Sequence, residues 1–554
     1  MNKKITILSG RIALTLFITL QINFSFSAKI PVQHFDLVSP DLNALVKEDL
    51  ERDKAGMLYR VGVATNFQLN NSNQGTWSTL ANRARKWQVS ITQKGAESLS
   101  FVFKKFVLHG NASFWVENKK GEKISKIFTS DDVLDDWQQI ISMCEGDAAI
   151  LTLVEDEYGT NSEIELDRVF YNYRSTVRSK EKINESAYCE VNVNCSEGDE
   201  YQDEKRGVAR IYIIEGNTAG YCSGSLVNNK AKDCKPLFLL ALHCGINTSS
   251  NDMKLWQFFF NYESSSCSNP TSSGSLASNY ITGCVRLADS NDNGGDSGSD
   301  FLLVQLGTTA TEATTIERLK SNDFNAYWNG WDANNSVSSQ GVGIHHPSGD
   351  IKKISTYNSA VYSDTYGGIQ NNTHWVVNWV STTNGHGITE GGSSGSPIFT
   401  HNNGDSRIVG TLTGGSSYCN TPTYPDYYGK LSYHWSGNGT SANQRLATYL
   451  DPENTGEKTM DGSDNPCSLA AVREITLDEK VNVYPNPTND IVIIESIDEA
   501  NYSIQVIDVV GTIVNEVKMN DGKASISLSN LAHGVYHIKI SKEGKTILKS
   551  IVKI

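Results

Sequence analysis

Mainly β structure is the fold class this sequence predicts, and three patterns predict it. Segments such as Lys86-Trp87-Gln88-Val89-Ser90-Ile91 and Leu99-Ser100-Phe101-Val102-Phe103 alternate apolar and polar residues, as half-buried strands do. From about 183 to 462, short β-type segments are separated by Gly, Ser and Asn turns, with few long helical periods. From about 474 to 554, further short segments recur at the spacing of a β-sandwich.

The elements follow in chain order. Lys3 and Lys4, an apolar run from Ile12 to Ile22, and the small residues Ser25 and Ser27 have the layout of a signal peptide over 1–27. The run is too short for a comfortable membrane span. No other segment is apolar enough to cross a bilayer, so no transmembrane segment is expected once the leader is removed. Residues 28–182 form a β-rich unit, to which Asp147-Ala148-Ala149-Ile150-Leu151-Thr152-Leu153-Val154 adds a more continuous apolar strand. The basic stretch with Arg174, Arg178, Lys180 and Lys182 ends this unit and reads as a processing site. In 183–462, Leu237 to Leu242, Phe301 to Leu306, Trp375 to Val380 and Ile408 to Leu412 read as buried or edge strands of an all-β barrel architecture. A polar linker runs through Asp461-Gly462-Ser463-Asp464-Asn465-Pro466, and the boundary is set at 463–473. In 474–554, five strands are expected at Val481 to Tyr484, Ile491 to Glu495, Ile504 to Ile507, Ala524 to Leu528 and Val535 to Ile540. A chain of 554 residues is long enough for three or four domains.

The formal net charge of −14 argues against a nucleic-acid partner, which calls for a basic face. Export predicts oxidised cysteines. Ten are present, and eight of them fall between Cys189 and Cys419, so the region 183–462 has its own cross-linking framework. No CxxC pair occurs, so a zinc site is not expected, and no cofactor is implied. Spacing alone leaves the disulfide connectivity open.

Gly392-Ser393-Ser394-Gly395-Ser396-Pro397 and, far upstream, Leu242-His243-Cys244-Gly245 carry the chemistry. A serine hydroxyl is a weak nucleophile and needs a nearby base, while flanking glycines allow a sharp turn and room for a substrate carbonyl. Ser394 is the candidate nucleophile, and the backbone N–H groups of Gly392 and Ser394 are the candidate oxyanion hole. His243 is the candidate base, ahead of His345, His346 and His386. It follows the buried run Leu239-Leu240-Ala241-Leu242 and precedes Cys244, which a disulfide can pin. The carboxylate that orients the imidazole is expected to be Asp300, opening the apolar run Phe301 to Leu306. Asp289, Asp292 and Asp296 read as solvated turn residues, and their loop lacks a calcium-ligand pattern. Gly295-Asp296-Ser297-Gly298-Ser299 also mimics a nucleophile signature, but Ser297 lies ahead of Asp300 and breaks the order His, Asp, Ser.

That order resembles the chymotrypsin-like peptidases, one of several convergent orders. Residues 183–462 are more specifically similar to the bacterial lysyl endopeptidases. The resemblance rests on Cys222-Ser223-Gly224-Ser225-Leu226-Val227-Asn228-Asn229, Gly330-Trp331-Asp332, Ile344-His345-His346-Pro347, Thr389-Glu390, Leu450-Asp451-Pro452, Thr455-Gly456 and Asp461-Gly462. It implies a double β-barrel serine endopeptidase acting on protein or peptide substrates. It also implies the disulfides Cys189–Cys419, Cys195–Cys267 and Cys222–Cys244. Cys234 and Cys284 are additional and are expected to pair with each other, with Cys144 and Cys467 unassigned. In trypsin-type enzymes the acid that binds a basic side chain precedes the nucleophile, at the position of Ile388 here, so that route is absent. The resemblance assigns the role to Asp426, which implies cleavage after basic residues, Lys first. Tyr366 stands where the relatives carry Trp, and Thr413 where they carry His; both flank the expected cleft. Ser393 replaces the Asp that would receive a new N-terminal amine, so activation by that ion pair is not expected. Residues 28–182 are instead expected to act as a pro-region that assists folding and blocks the cleft.

Tyr484-Pro485-Asn486-Pro487, Asp508-Val509-Val510-Gly511 and Leu531-Ala532-His533-Gly534-Val535-Tyr536 resemble the C-terminal sorting domain of type IX secretion. The resemblance implies an Ig-like sandwich that engages the type IX machinery. The product would then cross the outer membrane and be released or held at the surface. The alternatives are an Arg-preferring or broad-specificity peptidase of the same fold, and an inactive surface-binding protein on a protease scaffold.

Overall fold

The computed structural model describes residues 31–134, 136, 138–156, 162–174, 186–270, 279–308, 310–367, 372–402, 405–468, 481–496, 502–519, 522–542 and 545–554. The expected signal peptide and the basic residues Arg178, Lys180 and Lys182 lie outside them. Two compact units divide at Pro466 and Cys467, within the expected linker.

In the first unit, the alternation read from the sequence becomes a buried face. Trp87, Val89 and Ile91 point inward from the strand Arg85–Thr92, while their neighbours stay part-exposed. That strand lies between Gln33–Asp36 and Ala148–Glu155, and Ser113–Glu117 extends the sheet. Phe103, Phe106 and Phe114 meet edge-on or tilted in its core, where each buried aromatic contributes about 1.5–3 kcal/mol. In the N-terminal region the helix Leu42–Lys54 interrupts the β pattern. Asp41 caps it by accepting the N–H groups of Asn43 and Ala44. Only Asp49 of this helix is buried, so it shows little of the apolar stripe that reveals a helix in sequence.

The expected boundary near residue 182 does not separate two packed bodies. Tyr59–Asn70 pairs antiparallel with Thr218–Leu226, in the register Tyr59↔Tyr221, Arg60↔Gly220, Gly62↔Ala219 and Val63↔Thr218. One eleven-stranded sheet therefore runs from the N-terminal region into the first barrel. That barrel is built from Val208–Glu215, Thr218–Leu226, Leu237–Leu240, Gln257–Phe260, Tyr280–Thr282, Cys284–Asp289 and Leu302–Leu306. Leu237–Leu240 is buried along its whole length because it pairs on both sides, with Thr218–Leu226 and Leu302–Leu306. The second barrel follows the order Val191–Asn192, Lys353–Tyr357, Gly341–His345, Pro397–Asn402, Asp405–Gly415, Asp426–Lys430, His374–Val377 and Tyr362–Asp364.

Disulfides join Cys189 to Cys419, Cys195 to Cys267 and Cys222 to Cys244. The expected pairing of Cys234 with Cys284 is corrected. Cys284 is a free, buried thiol whose sulfur lies 3.6 Å from the Met253 carbonyl, whereas Cys234 and Cys467 are both disulfide-bonded. Cys234 Sγ lies 3.4 Å from Asn465 Oδ1 instead, so the two sulfurs face different neighbours.

Among the described residues, the second unit is a β-sandwich with seven strands rather than five. Val481–Tyr484, Ile491–Ser496 and Lys523–Ser527 form one sheet. Ile513–Met519, Tyr502–Ile507, Gly534–Lys542 and Lys545–Lys553 form the other. The unforeseen pair are the edge strands of that second sheet. Ile513–Met519 is mostly exposed or half-buried and lacks a clean inward alternation. Val492, Ile494, Ile504, Val506, Ile538 and Ile540 fill the space between the sheets.

Candidate active site

His243 lies in a short turn directly after Leu237–Leu240, within the 3₁₀ segment Leu242–Cys244. The Cys222–Cys244 disulfide ties that turn to the neighbouring strand. Asp300 lies two residues before the strand Leu302–Leu306, so the pairing of the two strands brings both residues to the same end of the first barrel. The His243 ring donates from Nδ1 to Asp300 Oδ2 at 2.7 Å, and the His243 backbone N–H donates to Oδ1 at 2.9 Å. The carboxylate thus fixes both the ring and the turn that carries it. Burial opposes the charged imidazolium, yet the Asp300 charge and hydrogen bond outweigh it and hold His243 above its ordinary pKa. Burial likewise works against ionised Asp300, but the facing imidazole and the two hydrogen bonds keep it below the usual carboxylate range.

Ser394 approaches from the second barrel on a turn before Pro397–Asn402 and is half-buried. Its carbonyl accepts the Ser223 N–H at 2.8 Å and lies 3.8 Å from Cys244 Sγ, which sets the turn against the His243 segment. Gly392 has φ of 93°, and a Cβ there would come within 3.0 Å of the Gly349 nitrogen. At Gly395 a Cβ would fall 2.5 Å from the Ser223 carbonyl, so only glycine lets the turn reach the first barrel. Ser393, one residue before the candidate nucleophile, is buried, with its hydroxyl 2.8 Å from His345 Nδ1.

The competing histidines are held elsewhere. His345 sits between the hydroxyls of Ser393 and Ser355, and burial drives its pKa down to about 3. His346 Nδ1 bonds the Asp350 carbonyl, and His386 Nδ1 the Gly387 carbonyl. Ser297 is exposed on its loop. The reading of Asp292 as a solvated turn residue is corrected: it is buried, because its carboxylate gathers the N–H groups of its own loop.

Asp426 opens the strand Asp426–Lys430 and has no exposed surface. Its Oδ2 accepts from Trp379 Nε1 at 2.6 Å, Ser417 Oγ at 2.7 Å and Thr389 Oγ1 at 2.8 Å. The Ser417 N–H donates to Oδ1 at 3.2 Å. Burial pushes its pKa above the ordinary value, with the Ser417, Trp379 and Thr389 donors opposing. Thr413 Oγ1 lies 3.0 Å from His374 Nε2, and the Tyr366 ring lies 5.5 Å from the His374 ring. Sequence reasoning missed His374, which is buried on a strand with no motif around it; burial lowers its pKa to about 4, against the pull of Asp300. Trp379 and Ser417 were missed as well, since only the fold brings them to Asp426.

A cavity of about 300 Å³ opens at His243. Asp296, Tyr366 and Thr413 wall it on one side, and Arg52, Gly56 and Met57 of the N-terminal region on the other. Tyr59 packs so tightly on Gly391 that a Cβ there would lie 2.3 Å from its ring. Among the described residues, Cys222, His243 and Cys244 are the one close group of metal-ligand types, and the disulfide consumes both thiols.

A double β-barrel that sets a histidine–aspartate pair against a glycine-flanked serine has the architecture of the chymotrypsin-like serine peptidases. Within that class, residues 183–429 match the family described as lysyl endopeptidase, C-terminal domain. Residues 482–554 match the secretion system C-terminal sorting domain. The chain is 30% identical over 256 residues to a lysyl endopeptidase of Pseudomonas aeruginosa, covering 45% of this chain and 50% of that relative. It thus spans half the length of the curated relative it matches. Two solved structures also align. A thermostable serine protease from an extremophilic microorganism is 13% identical, covering 41% of this chain and 93% of that one, with a TM-score of 0.29. The protease Anisep from Arthrobacter nicotinovorans is 15% identical, covering 45% and 98%, with a TM-score of 0.30.

Proposed function

We propose that this protein is an exported serine endopeptidase that hydrolyses peptide bonds after basic residues, Lys first. Ser394 attacks the carbonyl, His243 takes its proton and returns it to the leaving amine, and Asp300 holds the ring in the productive tautomer. The backbone N–H groups of Gly392 and Ser394 stabilise the oxyanion, and water then releases the acyl group. The observation that carries the reading is the buried His243–Asp300 pair, bonded at 2.7 Å and lying against the Ser394 turn. Asp426 supports the specificity: a buried carboxylate surrounded only by donors retains a charge that a lysyl ammonium can pair with. Tyr366 and Thr413 shape the cleft beside it.

Residues 28–182 act as a pro-region. The Arg52 to Tyr59 stretch covers the mouth of the cleft, and cleavage near Arg178, Lys180 or Lys182 releases it. The sorting domain directs passage through the type IX machinery, to the surface or the medium. Digestion of a diverse peptide library by processed wild type, Ser394→Ala and Asp426→Asn tests the reading. Cuts after Lys that vanish with Ser394→Ala and fall sharply with Asp426→Asn are expected. Cuts indifferent to Asp426 would sink the specificity, and no cutting by processed wild type would sink the enzyme.

A further inference from the structure

A second carboxylate stands behind the His243–Asp300 pair. Asp292 is 4% exposed and accepts four hydrogen bonds. Its Oδ1 takes the Ser290 hydroxyl at 2.7 Å and the N–H groups of Gly294 and Gly295, each at 3.2 Å. Its Oδ2 takes the Asp300 backbone N–H at 2.8 Å. Every partner is a donor, so the site fits the ionised carboxylate. The loop it organises is in unfavourable conformation: Asp300 has φ of 57° and Asn293 φ of 58°, both in the left-handed region that side chains avoid. Gly294 packs on His243 so closely that a Cβ would lie 2.9 Å from the His243 Cβ. From the other side, Asn438 accepts the Ser299 N–H at 3.1 Å and donates to its hydroxyl at 2.8 Å.

We propose that Asp292 is a positioning residue for the peptidase reaction: its carboxylate holds Asp300 in a strained backbone conformation and clamps Gly294 against His243. The inference rests on the serine peptidase reading above. Without Asp292, the loop has no local partner for the Asp300 N–H, and a residue free to leave φ of 57° would turn its carboxylate away from the His243 ring. Asp292 also adds negative charge near the imidazole, which favours its protonated form. The other titratable groups facing the pair are His374 and His434 from the second barrel, Tyr366, and Arg52, Glu215 and Asp296 around the cavity.

The test uses processed wild type, Asp292→Asn and, as a control for charge on the same loop, Asp289→Asn, which faces Arg286 instead. Active sites are counted with a serine phosphonylating reagent, and kcat, KM and pH profiles are measured on a Lys peptide. In Asp292→Asn the amide NH₂ must face either the Asp300 N–H or the Gly294 and Gly295 N–H groups, donor against donor in both orientations. The expected kcat per titrated site falls about 10- to 100-fold. KM should stay within about twofold, and the acidic limb of kcat should move to lower pH, because the Asp292 charge that favours the imidazolium is gone. Asp289→Asn should change neither. A purely structural role would reduce the number of titratable sites but leave kcat per site and the limb where they were, and that result overturns the proposal. If Asp292→Asn yields no folded protein, Ser290→Ala decides, since it loosens the same carboxylate. A fall in kcat at constant KM supports the role, and wild-type kcat overturns it. Wild type that neither reacts at Ser394 nor cleaves would overturn the peptidase reading and this inference with it.

Discussion

Replacing Asp426 with Asn should separate specificity from catalysis. Asp426 has no exposed surface, and three side-chain donors converge on its Oδ2 within 2.8 Å. A lysyl ammonium about 4 Å from such a carboxylate gains about 4 kcal/mol at an effective dielectric of about 20. At about 1.4 kcal/mol per tenfold, loss of the charge lowers kcat/KM for Lys peptides by about 1000-fold. Asn can keep its carbonyl oxygen toward Trp379, Thr389 and the Ser417 hydroxyl, but its NH₂ group then meets the Ser417 backbone N–H, leaving a buried donor unpaired at about 1–3 kcal/mol. That cost falls on the free enzyme as well, so it appears as lower stability, not as altered selectivity. The assay is kcat/KM on peptides differing only in Lys, Arg or Leu at the cleaved residue, with Ser394→Ala as the blank. The Leu peptide should change by less than about threefold. A Lys peptide that loses less than tenfold, or a Leu peptide that loses as much as Lys, would refute the assignment of Asp426 to the pocket.

Further outcomes are expected. The acidic limb of wild-type kcat should lie above the ordinary histidine value, because Asp300 raises His243 and the base acts only when neutral; a limb below that value would contradict the pair. Selectivity for Lys over Leu should weaken on acidification earlier than for an ordinary carboxylate, because burial raises Asp426 and protonation removes its charge; selectivity independent of pH down to 4 would count against this. Arg60→Ala should destabilise the N-terminal region by about 3 kcal/mol, read as a lower Tm and faster proteolysis of the precursor. It removes the 2.7 Å partner of fully buried Asp49, while Arg174 and Tyr173 remain beside that carboxylate. Cys284 and Cys144 should resist alkylation in the folded protein and label in denaturant without reductant, since burial pushes both thiols up, Cys144 to about 12. Rapid labelling of the folded chain would show that they are not buried thiols.

Much of this architecture is legible in the residues because it depends on local periodicity. Trp87, Val89 and Ile91 announce a strand two residues at a time, and Leu237 to Leu240 announce a strand buried on both faces. The Gly392 to Gly395 turn and the His243 turn are equally local, since glycine is the residue that close backbone approach requires. The sequence determined these elements, the order His243, Asp300, Ser394 and the acidic, export-ready character of the chain. Tertiary structure decided the remainder. Edge strands such as Ile513–Met519 carry too little buried surface to leave a pattern. Joining Tyr59–Asn70 to Thr218–Leu226 uses backbone hydrogen bonds, which every residue offers and no side chain advertises. The same reason hid the roles of His374, Trp379 and Ser417, and misread Asp292 as a solvated turn residue and Cys284 as a disulfide partner. A carboxylate or thiol takes its character from what surrounds it, and those neighbours come from strands that meet only when the chain has folded.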